Sequence, residues 1–203
     1  MTFILVRHGE TALNLARVLQ PADTPLSARG AAQAQAVARR LAGARIGAIL
    51  SSDLPRALAT AQAIGSACGL PVTSSELLRE RDFGSLRGQA YDALDHDPIA
   101  SRDAPPGGES AAEFEQRVAL AFELLRRERA RLGDAPLVVV SHGLVIRALL
   151  ERHVGGGAAL PAHLGNTAVS IVQAEPPHAV TLAACTAHLD ALRADAADGL
   201  VGG

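Results

Sequence analysis

The sequence predicts an α/β sandwich built on a largely parallel sheet. Three observations carry that expectation. Short apolar runs alternate with stretches whose apolar positions recur at helical spacing. Two of the runs, Phe3–Val6 in "FILVRHGETALN" and Leu137–Val140 in "PLVVVS", are apolar at every position, the pattern of strands covered on both faces. The third is size: 203 residues, 48% of them hydrophobic, suffice for one ordinary core and argue against disorder.

Taken in order, Phe3–Val6 is the first strand. "SARGAAQAQAVARRLAG" is the first long helix: Ser27 is its candidate N-cap, Ala31, Ala34, Ala38 and Leu41 share one face, and Gly43 can stop it. Ile46–Leu50 is a strand. "DLPRALATAQAIGSACG" follows as a helix, with Ser52 or Asp53 near the cap and Gly69 at its end. Pro71–Thr73 is a short strand. The region 77–108 lacks a regular period, and "APPGGES" within it is a loop. Ser110 and Glu113 form a capping box that opens a helix through Phe114, Val118, Phe122 and Leu125. Pro136–Ser141 is the second strongly apolar strand, and "GLVIRALLERHV" is the helix after it. Ala168–Gln173 and Ala179–Ala184 are two further strands. The expected organisation is one domain over 1–189, a lid-like insertion at about 81–109, and a frayed Ala/Asp-rich tail over 190–203.

Composition narrows function by exclusion. Net charge is −2, against the basic excess of nucleic-acid backbone binders. No apolar run is long enough to span a bilayer. The N-terminus carries no basic segment followed by a long apolar one, so the expectation is a complete cytoplasmic chain without a signal peptide. Cys68 and Cys185 are too few for a disulfide framework and read as buried structural thiols in a reducing compartment. The expected partner is a small molecule, with neither nucleic acid nor membrane. A homodimer is left open.

The residues that carry chemistry stand at strand ends. In open parallel sheets, ligands bind beyond the carboxyl ends of the strands. Arg7 and His8 follow the first strand, Ser51, Ser52 and Asp53 the second, and His142 the "VVV" strand, so three strand ends could converge on one crevice. A buried strand should not end in two cation-capable side chains unless an anion waits for them. Arginine offers a planar, permanently charged fork that suits phosphate oxygens. Taken alone, Arg56 in "LPRAL" reads equally as an exposed helix-face arginine. Glu80, with Glu76 and Asp82 close by, reads alone as a solvated loop charge.

Five segments, however, occur together and in order: "LVRHGETALN", "SSDLPRALATA", "LLRERDFGSLRG", "PPGGES" and "VVVSHGLVIRALL". The chain resembles the histidine phosphatase superfamily, the phosphoglycerate mutase-like proteins, from Phe3 to about Leu189, where "TAHL" resembles the last motif. The resemblance implies a three-layer α/β/α sandwich with a mostly parallel central sheet. It implies that His8 is a nucleophile that takes the phosphoryl group covalently. Arg7, Arg56 and Asn14 are then phosphate contacts, and His142 a second, positively charged pocket histidine. The helix that starts after Gly143 should add backbone N–H groups and a favourable dipole. Glu80 matches the general acid that protonates the leaving alkoxide and then activates water. A carboxyl in that place should have a raised pKa. His8 needs a neutral attacking nitrogen, so its other ring N–H should meet a backbone carbonyl close by. Gly9 should let the chain turn tightly enough for that. Glu10 and Thr11 shape the turn.

A metal site is the rival use of two histidines and a carboxylate, but neighbouring arginines repel a cation, so the expectation is no metal and no cofactor. His153, His163, His178 and His188 read as structural or solvent-facing, with His163 near the pocket rim. Three positions depart from patterns common in the family: Leu13 where an aromatic is frequent, Gln20-Pro21 where Gln-Gly is frequent, and "SLRG" at Ser85–Gly88 in place of an aromatic-acid pair before glycine. They touch substrate choice, not catalytic groups. The functional expectation is a phosphatase acting on small organic phosphate monoesters. The alternatives are a phosphoglycerate mutase and a non-catalytic phospho-ligand binding module. Mutases of the family carry a longer, basic insertion. Here the segment from Arg81 to Pro106 is short and net acidic. The intact set Arg7, His8, Arg56, Glu80 and His142 argues against a silent module.

Overall fold

The structure is a computed structural model describing residues 2–154, 160, 161, 163–190 and 192. Six strands form one sheet: β1 (Thr2–Arg7), β2 (Ala48–Ser51), β3 (Val72–Ser74), β4 (Leu137–Ser141), β5 (Val169–Gln173) and β6 (Val180–Cys185). Their order is β3-β2-β4-β1-β5-β6. The run β3-β2-β4-β1 pairs in parallel. β5 runs antiparallel to β1, and β6 to β5. The helices are α1 (Ala12–Leu15), α2 (Ala28–Leu41), α3 (Pro55–Cys68), α4 (Ala111–Ala130) and α5 (Gly143–Arg152).

The two central strands explain the three layers. Side chains alternate between faces along a strand. Ile4 and Val6 of β1 and Val138 and Val140 of β4 join Val37 and Leu41 of α2 and Ala57 and Ile64 of α3 in one core. Phe3, Leu5, Leu137 and Val139 point the other way, into a core with Val118, Phe122 and Leu125 of α4 and Ile146 and Leu149 of α5. Both faces are covered, so Phe3–Val6 of β1 and Leu137–Val140 of β4 are apolar throughout. The sandwich is therefore α/β/α, as expected.

Local signals set most boundaries. Ser27 Oγ accepts from Gly30 N at 3.0 Å and starts α2. Ala34, Ala38 and Leu41 of α2 are buried as expected, but the face is broader, with Gln33, Ala36 and Val37 also buried, while Ala31 is exposed. Gln33 is polar yet buried because its Oε1 accepts from Glu10 N at 2.9 Å. α3 is capped by Leu54, not by Ser52 or Asp53; Pro55 opens it, where a missing N–H costs no helical bond. Gly69, at φ +67°, ends it. The capping box of α4 is present, with Ser110 N donating to Glu113 Oε2 at 2.8 Å and Glu113 N to Ser110 Oγ at 3.2 Å. Cys68 and Cys185 are free thiols, half-buried rather than buried.

The region after β3 has only three single 3₁₀ turns, Glu76–Leu78, Gly84–Leu86 and Tyr91–Ala93. A further 3₁₀ turn, Ala187–Leu189, follows β6. Apart from Asp190 and Leu192, the expected tail over 190–203 lies outside the described residues. Among the described residues no helix is long and apolar enough to cross a membrane.

Candidate active site

The parallel register brings the strand ends together. Arg7 is opposite Ser141, so His8 and His142 leave neighbouring strands side by side. Their ring centroids are 5.1 Å apart. Ser52, at the end of β2, lies on the far side of β4 and bonds His142 Nε2 through its Oγ at 2.9 Å. The three strand ends predicted to converge do so.

His8 is 2% exposed. Its Nδ1 lies 2.7 Å from the carbonyl oxygen of Gly9. A carbonyl only accepts, so Nδ1 carries the proton and Nε2 keeps a lone pair. Burial, then Arg7 and Arg56, hold the imidazole well below its ordinary pKa, and the Gly9 carbonyl opposes them only in part. Gly9 itself serves otherwise than expected: a Cβ there would stand 2.5 Å from the carbonyl oxygen of Gly30 at the start of α2. Close approach of two chain segments, not a left-handed turn, requires that glycine. Thr11 caps α1, and Glu10 accepts from Ser27 N at 2.9 Å through its backbone, so both shape the turn.

His142 is fully buried, and burial, then Arg56, His8 and Arg7, push its pKa well below the usual value. Without a bound anion, these groups disfavour the positive charge expected on this imidazole. Arg56 is 3% exposed and donates from one terminal nitrogen to the carbonyls of Pro21 and Ala22 at 3.3 and 3.4 Å. Burial lowers its pKa to about 10, so it is cationic at neutral pH and not an exposed helix-face arginine. Arg7 donates to the carbonyl of Leu164. Among the described residues, five buried side-chain atoms have no partner in the protein, and three converge here: Arg7 Nε, Arg56 Nε and His142 Nδ1. The other two belong to Arg129, away from these strand ends.

Glu80 completes the group. Its Oε1 accepts from Arg81 N and its Oε2 from Leu144 N, each at 3.1 Å. Burial raises its pKa against the pull of those two N–H groups and of Arg56 and Arg7. At the N-terminus of α5, expected to face a phosphate, Leu144 N is taken by Glu80, while Gly143 lines the cavity beside Arg7 and Glu80. Asn14 lines the same cavity. Its Oδ1 is used twice, by Thr11 N at 3.1 Å and Asn166 Nδ2 at 3.2 Å, so its Nδ2 is the end an anion would meet.

Several residues that support this group escaped the reading of the sequence. Glu109 accepts from Asp82 N at 2.9 Å and binds Arg117 through both oxygens at 2.6 and 2.7 Å. Arg117 also donates to the carbonyls of Leu77 and Arg79 at 2.9 and 2.7 Å. This pair fixes the backbone on both sides of Glu80. Glu109 stands in a quoted motif, but nothing local marks Arg117 as its partner. On the other flank, Asn166 Nδ2 and Thr167 N both donate to the His8 carbonyl at 3.2 Å. Thr167, at φ +54°, bonds His188 Nε2 through its Oγ1 at 2.9 Å, and Arg40 donates to His188 Nδ1 at 3.1 Å. His188 is therefore a link between α2 and the loop that grips His8. His153 and His178 pack on Phe122, with ring centroids at 5.0 and 5.5 Å.

Above these groups opens a cavity of about 720 Å³. Its wall includes Leu13, Arg17, Phe83, Arg87, Tyr91 and Ile99, and His163 is at its edge as expected. His96, not singled out from sequence, is there too. The segment 81–109 thus contributes to the wall. Among the described residues, no group of three His, Cys, Asp or Glu side chains could hold a metal ion. Chemically, the base of the cavity offers an imidazole lone pair, two guanidinium groups, a second imidazole and a carboxyl whose pKa burial raises.

Comparison with known proteins gives a consistent picture. The profile of the histidine phosphatase superfamily (branch 1) matches residues 3–185. A protein of Yersinia pestis described as "Probable phosphoglycerate mutase GpmB" is 38% identical over 168 residues, 78% of this chain and 75% of the relative. The native structure of mycobacterial glucosyl-3-phosphoglycerate phosphatase has a TM-score of 0.74 at 28% identity, over 91% of this chain and 98% of that one. Phosphoserine phosphatase of Entamoeba histolytica, solved with phosphoserine, has a TM-score of 0.73 at 29% identity, over 93% and 98%.

Proposed function

Because the chain belongs to the histidine phosphatase superfamily, we propose that it is a phosphatase, hydrolysing small organic phosphate monoesters through a phosphohistidine on His8. The observation that carries this reading is the His8 ring. Its Nδ1–H is held by the Gly9 carbonyl, so the lone pair of Nε2 is free to attack phosphorus. The charge of a phosphoryl transition state spreads over its equatorial oxygens, and catalysis is largely positioning and electrostatic stabilisation. The unpartnered Nε atoms of Arg7 and Arg56 supply donors for those oxygens. His142 Nδ1 becomes a third donor when Ser52 donates to Nε2, a tautomer that needs no net charge on the ring. A bound phosphoryl dianion adds an interaction that raises the His142 pKa toward protonation.

Two steps complete the turnover. His8 Nε2 bonds to phosphorus as the ester P–O bond breaks, and Glu80 gives its proton to the leaving alkoxide. Glu80, now a carboxylate, takes a proton from water; that water bonds to phosphorus, the P–N bond breaks, and orthophosphate leaves. Burial keeps Glu80 protonated to higher pH than an ordinary glutamate, which suits the first step. The reaction as written needs no metal. The reading includes a cytoplasmic location.

A phosphoglycerate mutase is the second reading, and the Yersinia relative's description favours it. One experiment judges both. Brief quenching with labelled substrate should trap phosphate that is stable to alkali and released by acid. Label retained on a His8→Ala protein would sink the nucleophile assignment. In the same preparation, phosphate release should exceed interconversion of phosphoglycerates with or without a bisphosphate primer. Primer-dependent interconversion faster than hydrolysis would replace phosphatase by mutase.

A further inference from the structure

The base of the cavity and its wall differ in charge. At the base, Arg7, Arg56 and His142 each keep a buried nitrogen without a protein partner. In the wall, every described arginine is already engaged. Arg17 meets Asp92 at 3.7 Å, Arg87 meets Asp82 at 3.0 Å, and Arg147 meets Glu151 at 2.9 Å. Arg81 is 5% exposed and spends its guanidinium on the carbonyls of Pro98, Ile99, Ser101, Asp103 and Glu109 at 3.0–3.5 Å. Three of these arginines thus meet a carboxylate, the fourth is spent on carbonyls, and Asp97 adds a further acidic side chain, so the wall offers a second anion little net attraction.

Much of the rest of the wall is apolar, beside the polar side chains of Gln20, Tyr91, His96 and His163, and the space is large. Val18, Leu19, Phe83, Leu94, Ile99 and Leu144 border it. Its volume of about 720 Å³ lies in the range, roughly 300–1,000 Å³, of pockets that hold a drug-sized ligand. A phosphoryl group on a three-carbon acid would leave most of that apolar surface in water. Such an acid would also bring a carboxylate to a wall whose cations are already paired.

Resting on the phosphatase reading, we infer that the substrate is a monoester with a single anionic end and a bulky, uncharged, partly apolar leaving group lying against Phe83, Leu94 and Ile99. The reaction that supplies it phosphorylates, or builds a phosphate onto, a neutral alcohol of that kind. The reaction that consumes the product takes the free alcohol.

Three alkyl esters with alkoxide leaving groups test the inference: 2-phenylethyl phosphate, glycerol 3-phosphate and 3-phosphoglycerate. The kcat/KM values should fall in that order, with at least about tenfold between first and last, the scale of a few apolar contacts. Leu94→Asp should lower the ratio of the first ester to the second by about tenfold. Asp92→Asn releases Arg17 and should raise 3-phosphoglycerate relative to glycerol 3-phosphate by about threefold, the scale of an exposed ion pair. A wild-type preference for 3-phosphoglycerate overturns the inference, as does a ratio that Leu94→Asp leaves unmoved. Binding to the inactive His8→Ala protein, measured by calorimetry with the same three esters, separates this from the parent reading. If none is hydrolysed, the phosphatase reading fails, and the affinity order alone judges the wall: 2-phenylethyl phosphate binding tightest upholds it, 3-phosphoglycerate binding tightest ends it.

Discussion

The base of the candidate site and the wall above it are held in different ways. The base is made from strand ends. Arg7, His8, Ser52 and His142 sit where β1, β2 and β4 stop, and the backbone ladder that sets Arg7 opposite Ser141 also sets the spacing of the two imidazoles. The wall is made from the segment after β3, which has no strand or α-helix of its own between Ser75 and Ser110. It is held by a few backbone bonds, such as Leu19 N to Gln89 O at 2.9 Å and Tyr91 N to Arg17 O at 2.9 Å, and by side chains bonded to backbone: Arg81 to five carbonyls, and Glu109 and Arg117 to the chain around Glu80. Positioning at the base is inherited from the sheet, while positioning in the wall leans more on polar side chains. A lesion in the base should therefore cost rate with little cost to structure, and a lesion in the wall should cost local order first.

The largest effect is expected at Arg56. Arg56→Ala removes one of the two guanidinium donors that face a transferring phosphoryl group. Removing one such donor costs about 10²–10³ in kcat. Arg56→Lys keeps the charge but not the fork and should recover only part of the loss. The reading is kcat/KM alongside the melting temperature. A large fall in Tm with intact specific activity of the folded fraction would show Arg56 to be a structural residue of the Pro21–Ala22 loop instead.

Glu80 comes next. Glu80→Gln keeps size, but its single oxygen can serve only one of the two N–H groups that reach separate oxygens of Glu80, and it cannot donate a proton to an alkoxide in the same way. Transfer of the phosphoryl group from an alkyl ester to His8 should slow by about 100-fold. The same step with p-nitrophenyl phosphate should slow much less, because nitrophenolate leaves without a proton. Single-turnover kinetics isolates that step from dephosphorylation, which also uses Glu80. Equal slowing of both esters would remove Glu80 from the acid role and direct attention to Asp82.

The contrast between base and wall also decides what could be read from sequence. β1 and β4 were legible because burial on both faces writes an unbroken apolar run. His8 and His142 were legible because each follows such a run directly. Arg56 was not legible from spacing, since nothing in "LPRAL" says that its helix starts at the bottom of a pocket. The family resemblance supplied that. The lowered pKa of His142 was not legible because it comes from burial and from Arg56, neither of which is local in sequence. His188 was read as structural or solvent-facing, but Thr167, its partner, was missed because the signal is tertiary: a positive-φ threonine held by a histidine 21 residues away. Arg117 looked like one more charge on an amphipathic helix until its fork met Glu109 and the chain before Glu80.

Arg81 tests the wall directly. Arg81→Ala leaves buried carbonyls of 98–109 without a donor, and a buried group that loses its partner costs about 1–3 kcal/mol. Local opening should precede global unfolding. Limited proteolysis should then cut within 82–109 much faster than in the wild type, while the melting temperature falls by only a few degrees. Cleavage elsewhere first, or unchanged cleavage, would mean that the segment is held by other contacts.

The smallest effect is the pH dependence of stability, and its sign follows from the two kinds of buried acid at the base. His8 and His142 have folded pKa values well below the ordinary 6.5. In the window between 6.5 and those folded values the unfolded chain binds more protons than the folded one. Stability rises with pH wherever the unfolded state binds more protons. The stability associated with the two neutral imidazoles is therefore complete above 6.5 and is lost as pH falls below it. One proton changes stability by at most about 1.4 kcal/mol per pH unit. Glu80 has the opposite sign. Its folded pKa is raised above the ordinary 4.5, so in the window just above 4.5 the folded chain binds more protons and falling pH restores stability. Thermal melts of the wild type should therefore weaken from pH 7 to pH 5, but less steeply than two histidines alone require. His142→Asn should flatten that fall. Glu80→Gln, which lacks the compensating proton, should steepen it. If His142→Asn leaves the slope as it was, His142 is protonated in the folded protein, and the lowered pKa assigned to it is wrong.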